Sequence, residues 1–145
     1  MPATLYEPIT LLASAARTTS SAGSAVALLD PARRVAAKID AVALILDVTV
    51  DEQTSGDKLD VTVQVMLDNT NWHDVCAFTQ HLGNAGAARY VAKITAAAAQ
   101  AMFTNAALTA GNIRNLLGTS WRVSYTVTDG STNASFTFAV YAVLM

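Results

Sequence analysis

The segment Leu59–Phe78, LDVTVQVMLDNTNWHDVCAF, constrains the fold more than any other stretch of this chain. Leu59, Val61, Val63, Val65 and Leu67 alternate with Asp60, Thr62, Gln64 and Met66. A period of two is the mark of a half-buried β-strand, because successive side chains of a strand point to opposite faces. Four turn-forming residues, Asp68-Asn69-Thr70-Asn71, follow. A second run then places Trp72, Cys76 and Phe78 on one face and His73, Val75 and Ala77 on the other. The pattern predicts a β-hairpin with a four-residue loop.

The rest of the chain extends this theme. Val42, Leu44, Leu46, Val48 and Val50 alternate over Asp40–Val50, although the preceding Ala-rich ARRVAAKIDA also suits a helix over 32–46. Ser24–Leu29, closed by Asp30-Pro31, reads as a short strand. Asp51–Asp57 reads as an acidic turn, Thr79–Ala87 as a glycine-containing loop and Ala88–Ile94 as a strand. Thr95–Leu108 joins strongly helix-forming AAAAQAM to loop-like TNAALTAGN, and is expected to be a short helix or an Ala-rich insert. Asn112–Leu117 is a connector. Trp121, Val123, Tyr125 and Val127 alternate, a turn follows at Asp129–Asn133, and Phe136, Phe138, Val140, Ala142 and Leu144 alternate to the end. The other face of that last strand is also rather apolar, as in a strand covered on both sides.

Seven or eight strands separated by Gly, Asn and Asp turns imply an all-β, two-sheet β-sandwich, jelly-roll or Ig-like. The expected core comprises Val63, Val65, Trp72, Phe78, Trp121, Val123, Phe136 and Phe138. Pro2, Pro8 and the polar RTTSSAGS segment set residues 1–23 apart as an extended N-terminal arm, leaving 24–145 as one sandwich domain. Leu5, Tyr6, Ile9, Leu11 and Leu12 are the arm's candidate partner contacts.

Composition narrows the function. Charged residues are 14% of the chain, against roughly 25% in average soluble domains, while hydrophobic residues reach 52%. Such a chain can fill a core, and its charge-poor surface points to extensive cover by partners. A net charge of −2 offers no basic footprint for nucleic acid. No run approaches about 18 consecutive apolar residues, so no membrane span is expected. MPATLYEPITLL lacks the basic start and apolar core of a signal peptide, which implies synthesis and folding in a cytoplasm. The single cysteine, Cys76, rules out an internal disulfide and reads as a small buried hydrophobe.

Catalytic and metal chemistry find little support. His73, Asp74, Cys76 and His81 are potential ligands, but strict alternation puts His73 and Cys76 on opposite faces. There is no GxSxG elbow and no Gly-rich phosphate loop. Asp51, Glu52, Asp57, Asp60, Asp68 and Asp74 lack the spacing of an EF-hand calcium loop and suit solvated turns. Trp72 or Trp121 could stack on a sugar, but tryptophan opening a sandwich strand is more often core. No enzyme activity, cofactor or metal is expected.

The hairpin LDVTVQVMLDNTNWHDVCAFTQ and the ending SWRVSYTVTDGSTNASFTFAVYAVL resemble small virion proteins of tailed bacteriophages. In those, an aliphatic strand leads into a D-x-x-x-W-x-D-V turn and an F-T segment, matched here by Asp68, Trp72, Asp74, Val75, Phe78 and Thr79. Their R-V-x-Y-T-V and S-F-T-F-x-V patterns are matched by Arg122–Val127 and Ser135–Val140. The resemblance covers roughly half the chain, and the Ala-rich insert at 95–110 departs from the short loop it leads one to expect. It implies a capsid decoration (cement) protein on the outer surface of a phage head, with the major capsid protein and copies of itself as partners, a trimer ahead of a dimer. A head–tail connector, tail terminator or tail-tube subunit is the alternative, followed by a carbohydrate- or receptor-binding module.

Overall fold

The computed structural model describes residues 8–28, 40–52, 54–130 and 133–145. Leu5 and Tyr6, the Asp30-Pro31 turn and the competing helical stretch before Asp40 lie outside the described residues. Among the described residues eleven strands run in chain order: β1 (Ile9–Arg17), β2 (Ser21–Ala22), β3 (Val26–Ala27), β4 (Ala41–Asp51), β5 (Lys58–Met66), β6 (Trp72–Ala77), β7 (His81–Leu82), β8 (Ala88–Thr95), β9 (Asn112–Ile113), β10 (Ser120–Thr128) and β11 (Phe136–Leu144). They form two packed antiparallel sheets, so the protein is an all-β sandwich. Sheet A has the order β1-β11-β4-β8. Sheet B follows β2-β10-β5-β6-β9, with β3 against β10 and β7 against β5.

The period-two pattern builds the core as expected. Leu59, Val61, Val63 and Val65 of β5 pair with Val127, Tyr125, Val123 and Trp121 of β10 and face sheet A. Phe136, Phe138, Val140, Ala142 and Leu144 of β11 and Val42, Leu44, Leu46 and Val48 of β4 meet them. Of the expected core residues, Val63, Val65, Phe78, Trp121, Val123, Phe136 and Phe138 are buried. At the sandwich end, Gly56 (φ 97°) lies so close to Gly130 that a Cβ there would come within 2.5 Å of the Gly56 carbonyl.

Trp72 is the exception. A bulge inserts Val75 into β6, since Val63 pairs with Cys76 and the next residue, Gln64, pairs with Asp74. One extra residue reverses the faces of everything before it. Val75 and Cys76 are both buried, while Trp72 shares the outer face of sheet B with Met66 and is half-buried. The argument that opposed faces separate His73 from Cys76 fails for the same reason.

A second bulge, at Thr49 of β4, lies between Phe138↔Val48 and Thr137↔Val50. It turns Val50 out to 56% exposure and Asp51 into the interior. Leu67 leaves the buried face because β5 ends at Met66.

Residues 9–17 are part of the sandwich and not a free arm. They pair with β11 from Ile9↔Ala142 to Arg17↔Phe136. Leu11 joins the core, with Ile9 and Leu12 packed against it, so the three described partner-contact candidates make intramolecular contacts. The apolar ITLL run covers the edge that β11 would otherwise expose. The Ala-rich insert forms no helix. Its alanines present no apolar stripe to bury, and propensity alone does not sustain so short a helix in water.

Candidate interaction surfaces

The residues of the β5–β6 hairpin organise the outer face of sheet B. Asp68 caps the turn: Oδ1 accepts the backbone N–H groups of Asn71 (2.7 Å) and Thr70 (3.0 Å), and Oδ2 accepts the Asn71 side-chain amide (2.8 Å). These bonds, chiefly those from Asn71, lower the Asp68 carboxyl to about 2. Asn69 takes the left-handed conformation, φ 61°, that asparagine tolerates well.

Beyond the turn, the Arg122 guanidinium sits 4.5 Å from the centroid of the Trp72 ring and donates through Nε to Gln64 Oε1 (2.7 Å). Gln64 in turn donates to Asp74 Oδ1 (2.7 Å). Asp74 Oδ2 accepts the backbone N–H of Leu108 (3.0 Å), and Asn105 bonds both His73 and the Trp72 carbonyl. The insert is thereby pinned across sheet B. A cleft of about 360 Å³ remains beneath it, lined by Thr62, Gln64, Trp72, Asp74, Asn105 and Ser124. Both Asp74 oxygens are engaged, so the cleft presents hydrogen-bonding groups and no paired acid and base. One face of the Trp72 ring is already occupied by Arg122, which reduces the stacking surface that a sugar would need.

A second polar cluster lies inside the sandwich. His81 is fully buried, with Nε2 3.0 Å from Asp51 Oδ2 and Nδ1 3.0 Å from the Tyr90 hydroxyl. Asp51 Oδ2 also accepts the Gly86 backbone N–H (2.8 Å). The His81 ring meets Tyr90 and Phe136 edge-on. Burial raises the Tyr90 hydroxyl above its ordinary value. An acid, an imidazole and a hydroxyl in line resemble a relay, but the imidazole and carboxylate have no exposure to a substrate. Asp51 and Tyr90 belong to sheet A and His81 to sheet B, so the cluster ties the sheets together. Sequence reading missed it because alternation through Val50 directs Asp51 outward; only the bulge brings it in.

The outer face of sheet A carries an apolar patch. Register aligns Val91, Ile45 and Tyr141 in one cross-strand row, and Lys93, Ala43 and Val143 in the next. Val91 is 67% exposed, while Ile45, Tyr141 and Val143 are half-buried. Arg89 bonds Asp47 (3.1 Å) at one border of the patch, and Lys93 stands at the other. Such a flat, charge-bordered apolar patch suits contact with another protein surface. Of its residues, Tyr141 and Val143 belong to the second apolar face noted on the last strand.

Among the described residues, no three His, Cys, Asp or Glu side chains are grouped so as to hold a metal ion, and no helix is long and apolar enough to cross a membrane. Comparison with protein-family models, curated proteins and solved structures gave no match.

Proposed function

We propose that this chain is a structural virion protein that binds the outer surface of an assembled phage capsid and stabilises it, as a decoration or cement protein without a chemical step. The observation that carries the reading is the apolar outer face of sheet A, Val91–Ile45–Tyr141 with Ala43 and Val143, on a charge-poor chain. The resemblance of the two hairpins to phage virion proteins supplies the partner. Shell binding needs a broad surface that spans subunit junctions and no deep pocket. Many copies bound to the intact shell and not to the broken one stabilise it by mass action.

Empty heads lacking the protein, mixed with the purified chain, are expected to retain it on sedimentation. Tyr141→Glu, which puts a charge within the patch, should abolish retention while leaving the fold intact. Retention unchanged by Tyr141→Glu would exclude this face as the contact. The alternative is a head–tail connector, tail terminator or tail-tube subunit; density confined to the tail in virion maps would select it.

A further inference from the structure

We propose that two copies of this chain associate by antiparallel pairing of β8 with β8 of a second copy, across a two-fold axis at Val91. The inference does not depend on shell binding and stands on the strand edges alone.

Sheet B ends on two-residue strands, β2 and β3 on one side and β9 on the other. Among the described residues, sheet A ends on β1 and β8. The β1 edge is blunted: its register breaks between Thr10 and Leu12 and again between Leu12 and Ala15. The Arg17 guanidinium also takes the carbonyls of Ala13 (2.6 Å), Ala15 (3.0 Å) and Phe138 (2.8 Å). By contrast, β8 pairs with β4 without a break from Ala88↔Val48 to Thr95↔Ala41 and contains neither glycine nor proline. Bulges protect edges, and a long regular strand invites pairing. A head-to-tail ring or filament needs two pairable edges, whereas a single one closes as a two-fold pair.

The hydrogen bonds at the end of β8 fix the register. The Ala96 N–H donates to the Asp40 carbonyl on the β4 side, and the Thr95 N–H donates to Asn115 Oδ1 on the other. Main-chain groups alternate along an antiparallel strand. Those of Arg89, Val91 and Lys93 therefore face away from β4. An axis at Val91 pairs Val91 with its copy and Arg89 with Lys93 of the copy, which satisfies every one of those groups. The apolar row Tyr141–Ile45–Val91 then runs unbroken into the row of the second molecule. Arg89 is already bonded to Asp47, which leaves Lys93 as the uncompensated charge at the junction and keeps the pairing reversible.

The test is sedimentation equilibrium of the full chain with three variants. Wild type is expected to dimerise. Lys93→Glu places a carboxylate opposite Arg89 on both sides of the axis and should tighten the dimer about tenfold. Val91→Pro removes a donor that β4 does not use, so the fold should persist by circular dichroism while the dimer is lost. Val91→Cys should form an intermolecular disulfide under mild oxidation, because hydrogen-bonded antiparallel partners sit about 5.5 Å apart at Cα. Buried Cys76 serves as the silent control. A wild type that stays monomeric to about 1 mM, or a dimer that survives Val91→Pro and does not cross-link through Val91→Cys, would overturn the proposal.

Discussion

The two tryptophans show what a single bulge decides. Trp121 is buried to 1% exposure and donates its indole N–H to the Gly118 carbonyl (3.1 Å), whereas Trp72 lies on an outer face under Arg122. Trp121→Ala should cost about 3–5 kcal/mol in urea unfolding. Trp72→Ala should cost about 1 kcal/mol, the scale of a partly exposed cation–π contact. Equal losses would put Trp72 back in the core. Alternation correctly placed the inward residues of β5, β10 and β11, because β5 and β10 pair without a break and the extra residue opposite β11 lies in β4. It failed at Trp72, Val50 and Asp51, since an inserted residue leaves no trace in hydrophobic periodicity.

Asp68 and Cys76 carry residue-scale predictions that need no partner. The folded Asp68 carboxyl, at about 2, lies below its ordinary 3.8. Its turn therefore contributes full stability above that ordinary value and loses the contribution as pH falls towards 2. The difference in melting temperature between wild type and Asp68→Ala should be constant above about pH 5 and narrow between pH 4 and 2. A difference independent of pH would contradict the capping role. Burial pushes the Cys76 thiol up to about 12. A thiol reagent at pH 8 should leave it unmodified in the native protein and react once the chain is unfolded; rapid native labelling would contradict the buried strand position.

At the scale of elements, β1 and the Ala-rich insert depart furthest from what their sequences suggest. Prolines and a polar loop give the N-terminus the look of an arm, yet Leu11 fills a core position and β1 pairs along β11. Nothing local identifies this, because the demand comes from β11, more than a hundred residues later in the chain. Deleting residues 1–17 should abolish the cooperative unfolding transition or lower its midpoint sharply; an unchanged midpoint would show that β1 is dispensable to the sandwich. The insert has helix propensity, but Asp74, Asn105 and Gln100 give its backbone and neighbours other hydrogen-bond partners.

The inter-sheet tie at His81 is also an element-scale feature. His81→Leu fills the space but leaves the buried Asp51 carboxylate without the ring and Tyr90 without an acceptor. A loss of about 1–3 kcal/mol in denaturant unfolding is expected. A variant as stable as wild type would show that the cluster does not hold the sheets.

For the whole molecule, the sandwich leaves most of its chemistry structural. The hairpin residues Asp68, Trp72 and Asp74 cap a turn, flank a bulge and anchor the insert. What remains available to partners is the apolar outer face of sheet A with the open edge of β8, and the polar cleft on sheet B. The fold class was legible from alternation and turn residues. The apolar patch on sheet A was only hinted at by the second apolar face of the last strand, because Ile45, Val91 and Tyr141 come from three strands that only the tertiary register aligns. The most direct measurement of the proposed function is the rupture temperature of virion heads prepared with and without this chain. Shell stabilisation predicts earlier rupture of heads that lack it, restored by adding back wild-type protein but not Tyr141→Glu. Equal rupture temperatures would contradict the account.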